Sequence, residues 1–90
     1  MERILVIEDD RTIKEELCAL LTASGYLPVE EEPCDLALLD VSLPGESGLT
    51  ICRRLRQHSD VPVIFLTARV SPEDELLGFG VGADDYIRKP

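Results

Sequence analysis

Three short apolar runs constrain the fold of this chain more than any other feature. They occupy residues 3–7 (RILVI), 36–39 (LALL) and 61–66 (VPVIFL). A strand with one face in water would place a polar side chain at every second position, and these runs do not. Strands covered on both faces are typical of parallel sheets with helices on each side. We therefore predict an open, doubly wound parallel α/β fold.

The segment after the first run has the pattern of an amphipathic helix. Asp10 is a suitable N-cap, and Gly25 stands where a left-handed C-terminal cap belongs. Between them, apolar residues recur at helical spacing at Ile13, Leu17 and Leu21.

Two further helices and two weaker strands complete the predicted order. The turn "SLPGESG" precedes a helix that begins near Leu49 and ends near Gln57, and an N-cap with a first-turn proline opens a helix over 71–79. A strand over 26–29 contains a proline, which confines it to a sheet edge, and 86–88 forms the last strand.

Polar residues follow the predicted strands at the point where each strand ends. They are Glu8 and Asp9, then Asp40, Thr67 and Lys89. The carboxyl ends of parallel strands share one edge of the sheet, where ligands bind in such folds. Three converging carboxylates would repel one another unless a cation joined them, and oxygen ligands suit Mg²⁺ or Mn²⁺. With the Lys89 ammonium group and the Thr67 hydroxyl opposite the metal, these residues would form a pocket for a phosphoryl group.

Taken singly, each of these residues has an ordinary structural explanation. The acidic residues after the first strand could stabilise a helix N-terminus, and Asp10 is the best candidate for a pure cap. Asp40 could form a turn, Thr67 could favour a strand, and Lys89 could be a solvated charge. Their joint placement at matching strand ends favours a site.

Composition limits the kinds of partner and metal site that the chain can have. The chain has 90 residues, enough for one domain, and its net charge of −9 disfavours binding to nucleic acid or anionic lipid. A secretory signal and a membrane-spanning run are absent from the sequence, so we expect a cytoplasmic protein. Three scattered cysteines and one histidine cannot form a thiolate metal site, and we expect Cys18 and Cys52 to be buried.

Four motifs together resemble the receiver domain of two-component response regulators, closest to the OmpR/PhoB-type transcription factors. They are "ILVIEDD", "DLALLDVSLPGESG", "VPVIFLTAR" and "GADDYIRKP", and they span most of the chain. The resemblance implies a flavodoxin-like sheet with strand order 2-1-3-4-5 and one receiver domain over residues 1–90. It also implies a DNA-binding output domain outside this chain, so that the chain itself binds no DNA.

The resemblance also implies roles for individual residues. Asp40 corresponds to the phosphoacceptor, which takes a phosphoryl group from a sensor histidine kinase. Glu8 and Asp9 correspond to the acidic pair that holds Mg²⁺ with Asp40, and the backbone carbonyl of Ser42 completes the protein ligands. Such a domain catalyses its own phosphorylation and dephosphorylation and is not otherwise an enzyme.

Three more positions match the family's switch. Thr67 corresponds to the switch hydroxyl, Lys89 to the phosphate-binding lysine, and Tyr86 to the aromatic side chain that changes rotamer on activation. The Lys89–Pro90 bond corresponds to a peptide that is cis in the family.

The chain departs from the family pattern in its connections. Only residues 30–35 (EEEPCD) join the edge strand to the next buried strand, and six extended residues reach about 20 Å. Returning one strand length and crossing two strand spacings takes about 19 Å, so the connection is barely long enough or too short. We expect most of the second helix to be missing, and the final helix of the family would lie beyond Pro90.

The charges of the predicted helix over 71–79 argue against the family's homodimer through the fourth helix and last strand. Glu73, Asp74 and Glu75 offer no cation for the crossed charge pairs. Two other functions remain open. One is a receiver-like interaction module that is not phosphorylated. The other is a phosphatase of the haloacid dehalogenase type, which would need an aspartate where this chain has Ser42.

Overall fold

A computed structural model describes residues 1–43, 46–67 and 85–88, with the backbone alone described at 42–43, 46–47, 67 and 86–88. The elements in chain order are β1 (Arg3–Ile7), α1 (Arg11–Ala23), β2 (Leu27–Val29), β3 (Leu36–Asp40), β4 (Ser42–Leu43), β5 (Glu46–Ser47), α2 (Gly48–Arg56), β6 (Val63–Thr67) and β7 (Asp85–Arg88). Five strands form one parallel sheet in the order β2-β1-β3-β6-β7. This confirms the predicted parallel α/β fold and its strand order.

Helix α1 is bounded by the caps that the sequence predicts. The Asp10 Oδ1 atom accepts a hydrogen bond from the Ile13 amide at 3.1 Å, and Gly25 has a φ of +89° in the turn that follows the helix. Helix α2 begins at Gly48, where a turn was the expectation, and the predicted helix over 71–79 lies outside the described residues. Neither helix in the described ranges is both long and apolar enough to cross a membrane.

Apolar side chains cover both faces of the sheet. The core between the sheet and α2 contains Leu5, Ala37, Leu39, Val63 and Phe65 from the strands, with Cys52 and Leu55 from the helix. The face under α1 contains Ile4, Val6, Leu38 and Leu66, with Leu17 and Leu21 packed against them. Cys52 is fully buried as predicted. The prediction for Cys18 is wrong, since Cys18 is only partly buried, in a helix that has no fully buried residue.

The connection between β2 and β3 has a shorter distance to span than the sequence-based estimate of about 19 Å. That estimate is wrong because it assumes a return of one full strand length. In the structure Val29 pairs with Leu5, and Leu36 pairs with Ile4, so the chain returns by only one residue. Two strand spacings amount to about 10 Å, which six residues span comfortably. The short edge strand therefore makes the crossover possible without a helix.

Polar contacts hold this connection against the start of the sheet. The Arg3 Nε atom donates to the Pro33 carbonyl at 2.7 Å, and the Arg3 amide donates to the Asp35 carboxylate at 2.7 Å. The Glu32 carboxylate lies 2.9 Å from the ring Nε2 of His58, which follows α2. Cys34 packs against the core beneath, and partial burial together with nearby carboxylates raises the pKa of its thiol. The connection thus covers part of the sheet face.

We expect Arg3→Met to lower the free energy of unfolding by about 1 kcal/mol, because the Pro33 carbonyl loses its charged donor. Arg11→Met is the matched control, since Arg11 is 91% exposed and its Nε lies 4.0 Å from Glu15, a pair that contributes little. Urea denaturation of both variants measures the difference. Equal midpoints for the two variants would contradict the stabilising role of the Arg3 contact.

Candidate functional site

Strand register places the predicted acidic residues at one level of the sheet. Ile7 pairs with Leu39, so the residues that follow them, Glu8 and Asp40, reach the carboxyl edge side by side. Asp40 in turn pairs with Leu66 of β6. The edge predicted from the sequence therefore exists, and β1 and β3 deliver their carboxylates to it together.

Three carboxylates converge at this edge. Glu8, Asp9 and Asp40 each offer an oxygen atom, and these atoms lie within 4.8 Å of one another. Asp40 is 1% exposed and Glu8 is 6% exposed, whereas Asp9 is open to solvent. Carboxylates so close together in a buried position repel one another strongly, because screening by water is weak there. A shared cation offsets that repulsion.

The donor set fits a small, hard divalent cation. All three side chains supply oxygen, which Mg²⁺ and Mn²⁺ prefer to nitrogen or sulfur. Mg²⁺ usually retains several water ligands and is held by few carboxylates, and the exposed Asp9 leaves one side of the cluster open to water. The residues present therefore suit the predicted Mg²⁺.

The structure shows which acidic residue caps α1 and which one belongs to the acidic cluster, a question that the sequence alone left open. Asp10 caps α1 through its own carboxylate, and its backbone amide donates to the Glu8 Oε1 atom at 3.1 Å. Asp10 is thus the cap, as expected. Glu8 joins the cluster while its carboxylate is oriented by the amide that precedes the helix.

The backbone after Asp40 is held on two sides. The Val41 amide donates to the Leu66 carbonyl of β6 at 3.1 Å, and the Val41 carbonyl accepts from the Gly48 amide of α2 at 3.1 Å. Ser42 then begins the hairpin of β4 and β5, which the sequence did not predict, because "SLPGESG" reads only as a turn. The role of the Ser42 carbonyl as a metal ligand stays a prediction.

The remaining predicted site residues are described only in part. Thr67 ends β6 one residue beyond the partner of Asp40 and pairs with Arg88, and Tyr86 pairs with Phe65. The side chains of Thr67 and Tyr86, and the whole of Lys89, lie outside the description. Thr67 therefore lies at the carboxyl end of β6, and the chemical roles of Thr67, Tyr86 and Lys89 stay predictions.

A cleft beside the acidic pair brings in two residues that sequence reasoning missed. The cleft has a volume of about 330 Å³ and is bordered by Lys14 and Glu30 as well as Glu8 and Asp9. The Lys14 Nζ atom lies 2.7 Å from the Glu30 carboxylate, and this contact holds the pKa of Glu30 below its usual value. The pair joins α1 to the end of β2, and no local pattern in the sequence signals it.

The model of the response regulator receiver domain family matches residues 4–90 of this chain. Among curated proteins, the transcriptional regulatory protein BaeR of Escherichia coli is 43% identical over 100 residues. That match covers 98% of this chain and 42% of BaeR, so the chain spans less than half the length of this relative.

Solved structures agree with the sequence comparison. Response regulator DrrB, described as an OmpR/PhoB homolog of Thermotoga maritima, matches with a TM-score of 0.89 and 35% identity, covering 100% of this chain and 46% of that chain. Response regulator TrrA of the same organism, solved in complex with Mg²⁺ and BeF, matches with a TM-score of 0.85 and 32% identity, covering 100% of this chain and 88% of that chain.

The match to BaeR also concerns the family's helix that is expected between β2 and β3 and is absent from residues 30–35 of this chain. It extends over 100 residues, whereas 98% of this chain amounts to about 88, so BaeR has about a dozen residues more within the same span. A dozen residues form a helix about 18 Å long. The connection over 30–35 contains no helix, which is consistent with a shorter chain in this span.

We expect Mg²⁺ to raise the unfolding midpoint of the wild-type chain in urea. At 100 times the dissociation constant, the gain in free energy of unfolding is about 2.7 kcal/mol. Asp9→Asn and Asp40→Asn should lose most of this gain, because each removes a charged ligand from the cluster. Asp60→Asn, an exposed aspartate outside the cluster, is the control and should retain the gain. A full Mg²⁺ gain in Asp40→Asn would contradict the assignment of the site.

We expect the Glu30 carboxyl to titrate below its ordinary pKa of 4.5, and Lys14→Gln should return it toward that value. Because the folded-state pKa is lowered, the stability from the pair is present above the unfolded-state pKa and is lost as pH falls through the folded-state pKa. An NMR titration of the Glu30 side chain measures both effects. An unchanged titration in Lys14→Gln would contradict the contact.

Proposed function

The chain belongs to the response regulator receiver domain family, and on that premise we propose that it is a phosphorylation-dependent signalling switch that accepts a phosphoryl group on Asp40. Its relatives of the OmpR/PhoB type are transcriptional regulators. The proposed donor is a sensor histidine kinase, and the proposed output is a DNA-binding domain outside this chain. This chain would then act on transcription without contacting DNA itself.

One observation carries the proposal. The carboxylate of Asp40 is almost completely buried at the end of a central strand, in a cluster with the carboxylates of Glu8 and Asp9. A burial of this kind is unfavourable for an aspartate that only forms a turn, because water no longer solvates its charge. A site in which the three carboxylates hold Mg²⁺ beside the nucleophile would account for it, because the bound cation compensates the buried charge.

The proposed transfer uses one oxygen of the Asp40 carboxylate. This oxygen forms a bond to phosphorus while the bond between phosphorus and the kinase histidine breaks, and the electron pair of that bond stays on the imidazole. The imidazole takes a proton from solvent. Little covalent chemistry is required of the protein, so the rate depends on positioning and on stabilisation of charge.

The protein residues supply that positioning and charge. Glu8, Asp9 and Asp40 would hold Mg²⁺, with the Ser42 carbonyl as a further proposed ligand. When bound, Mg²⁺ neutralises developing charge on the phosphoryl oxygens. We propose that Lys89 neutralises the same oxygens from the opposite side.

The switch would begin at the phosphoryl group. Thr67 would hydrogen-bond a phosphoryl oxygen, and Tyr86 would move into the space that the hydroxyl leaves. Both residues lie in strands that neighbour each other at the end of the sheet, which supports coupling between them. The family's homodimer depends on a helix outside the described residues, and the acidic residues predicted there still argue against it.

The decisive test is incubation of the chain with acetyl phosphate and Mg²⁺, followed by intact-mass spectrometry. We expect one phosphoryl group per wild-type chain, removal of that group by hydroxylamine as for an acyl phosphate, and no labelling without Mg²⁺. Asp40→Asn should lower the labelling rate by about 100-fold or more, since the nucleophile is removed. Asp60→Asn should label as the wild type does.

Two results would contradict the proposal. Equal labelling of wild type and Asp40→Asn would place the phosphoryl group elsewhere. A folded, Mg²⁺-binding wild type that no phosphodonor labels would instead favour a receiver-like interaction module.

A further inference from the structure

The first residue of α2 lies directly against the backbone of Asp40. A Cβ atom built on Gly48 would stand 2.0 Å from the Asp40 carbonyl oxygen, 2.8 Å from the Asp40 carbonyl carbon and 3.2 Å from the Val41 Cα. Real Cβ atoms essentially never approach another atom within 3.0 Å. No side chain larger than hydrogen fits there unless the backbone moves.

The hairpin between β3 and α2 causes this close approach. Ser42 pairs with Ser47, so the next residues outward, Val41 and Gly48, face each other. The Gly48 amide continues the ladder by donating to the Val41 carbonyl at 3.1 Å. Since the Val41 amide is bound to the Leu66 carbonyl at 3.1 Å, β6 holds the peptide from the other side. The segment after Asp40 therefore cannot shift without breaking a contact.

Conformational freedom does not explain a glycine at this position. Among the described glycines, a positive φ occurs at Gly25 and not at Gly48, which lies in a helix. In a helix, glycine is less favourable than alanine by about 1 kcal/mol in general. Glycine is therefore required at position 48 because it has no Cβ atom.

We infer that Gly48 is a positioning residue for the phosphoacceptor: its lack of a side chain lets α2 fix the Asp40 backbone so that the carboxylate meets Glu8 and Asp9. The inference rests on the proposed function of Asp40. Gly48 has no side chain with which to bind a metal or a phosphoryl group. It would act through the main chain of Asp40, which it contacts.

The clash sets the size of the expected effect. To bring the Cβ contact from 2.0 Å to 3.0 Å, the Asp40 peptide or the start of α2 must move by about 1 Å. Misplacement of a reacting group by about 1 Å lowers a rate by about 100-fold. Disturbing residues that orient metal ligands weakens metal binding by about 10-fold or more.

The test compares Gly48→Ala with Gly25→Ala, two changes that add the same methyl group. At Gly25 the added Cβ meets no atom within 4 Å, but alanine is strained by the φ of +89°. Both variants should therefore be less stable than the wild type. Gly48→Ala should also have a Mg²⁺ dissociation constant about 10-fold higher and a labelling rate by acetyl phosphate, at saturating Mg²⁺, about 100-fold lower. Gly25→Ala should keep the wild-type value of both.

If Gly48→Ala unfolds in part, both variants are measured in trimethylamine N-oxide, which favours the folded state. There the increase in urea midpoint on adding Mg²⁺ reports binding to the folded chain. A wild-type increase for Gly48→Ala would overturn the inference, as would equal losses of labelling in the two variants. Failure of the wild type to be labelled would count against the proposed function, while the Mg²⁺ comparison would still test Gly48.

Discussion

The repulsion among buried carboxylates at the carboxyl edge of the sheet is the constraint on which the rest of this structure depends. Asp40 and Glu8 are withdrawn from water almost completely, and their oxygen atoms lie within 4.8 Å of each other and of Asp9. Burying charges in this way is unfavourable unless partners compensate them, so the surrounding fold must hold the carboxylates in place. β1 and β3 do this as neighbouring strands with apolar residues on both faces. The amide of Asp10 and the start of α2 complete the support.

Much of the site follows from the sequence because local patterns specify it. The continuous apolar run over 3–7 predicts β1 to the residue, and the same reasoning places Asp40 at the end of β3. Parallel pairing then brings the strand ends to one edge, and the strand order implied by the family resemblance makes Glu8, Asp9 and Asp40 neighbours. Periodicity and the geometry of a parallel sheet predict the shared edge, and the resemblance supplies the order of the strands.

The features that the sequence did not predict depend on register and on close approach. The distance that the six-residue connection must span depends on the positions of Val29 and Leu36 along β1, and no residue type indicates that offset. The hairpin of β4 and β5 lies in a segment rich in turn formers, which predicts a turn and no strands. Gly48 is one of these turn formers, but its contact with Asp40 depends on the pairing of Ser42 with Ser47, which the sequence does not indicate.

The tolerance of this fold for so short a crossover has a geometric reason. The connection makes its polar contacts with Arg3, at the beginning of β1, and enters β3 at Leu36, whereas the carboxylates stand at the opposite ends of the same strands. Five residues of strand, about 17 Å, separate the two ends. The absence of a helix between β2 and β3 therefore concerns the sheet face near Leu5 and leaves the register of β1 with β3 intact. Since that register joins Glu8 to Asp40, the acidic cluster does not depend on a helix in this connection.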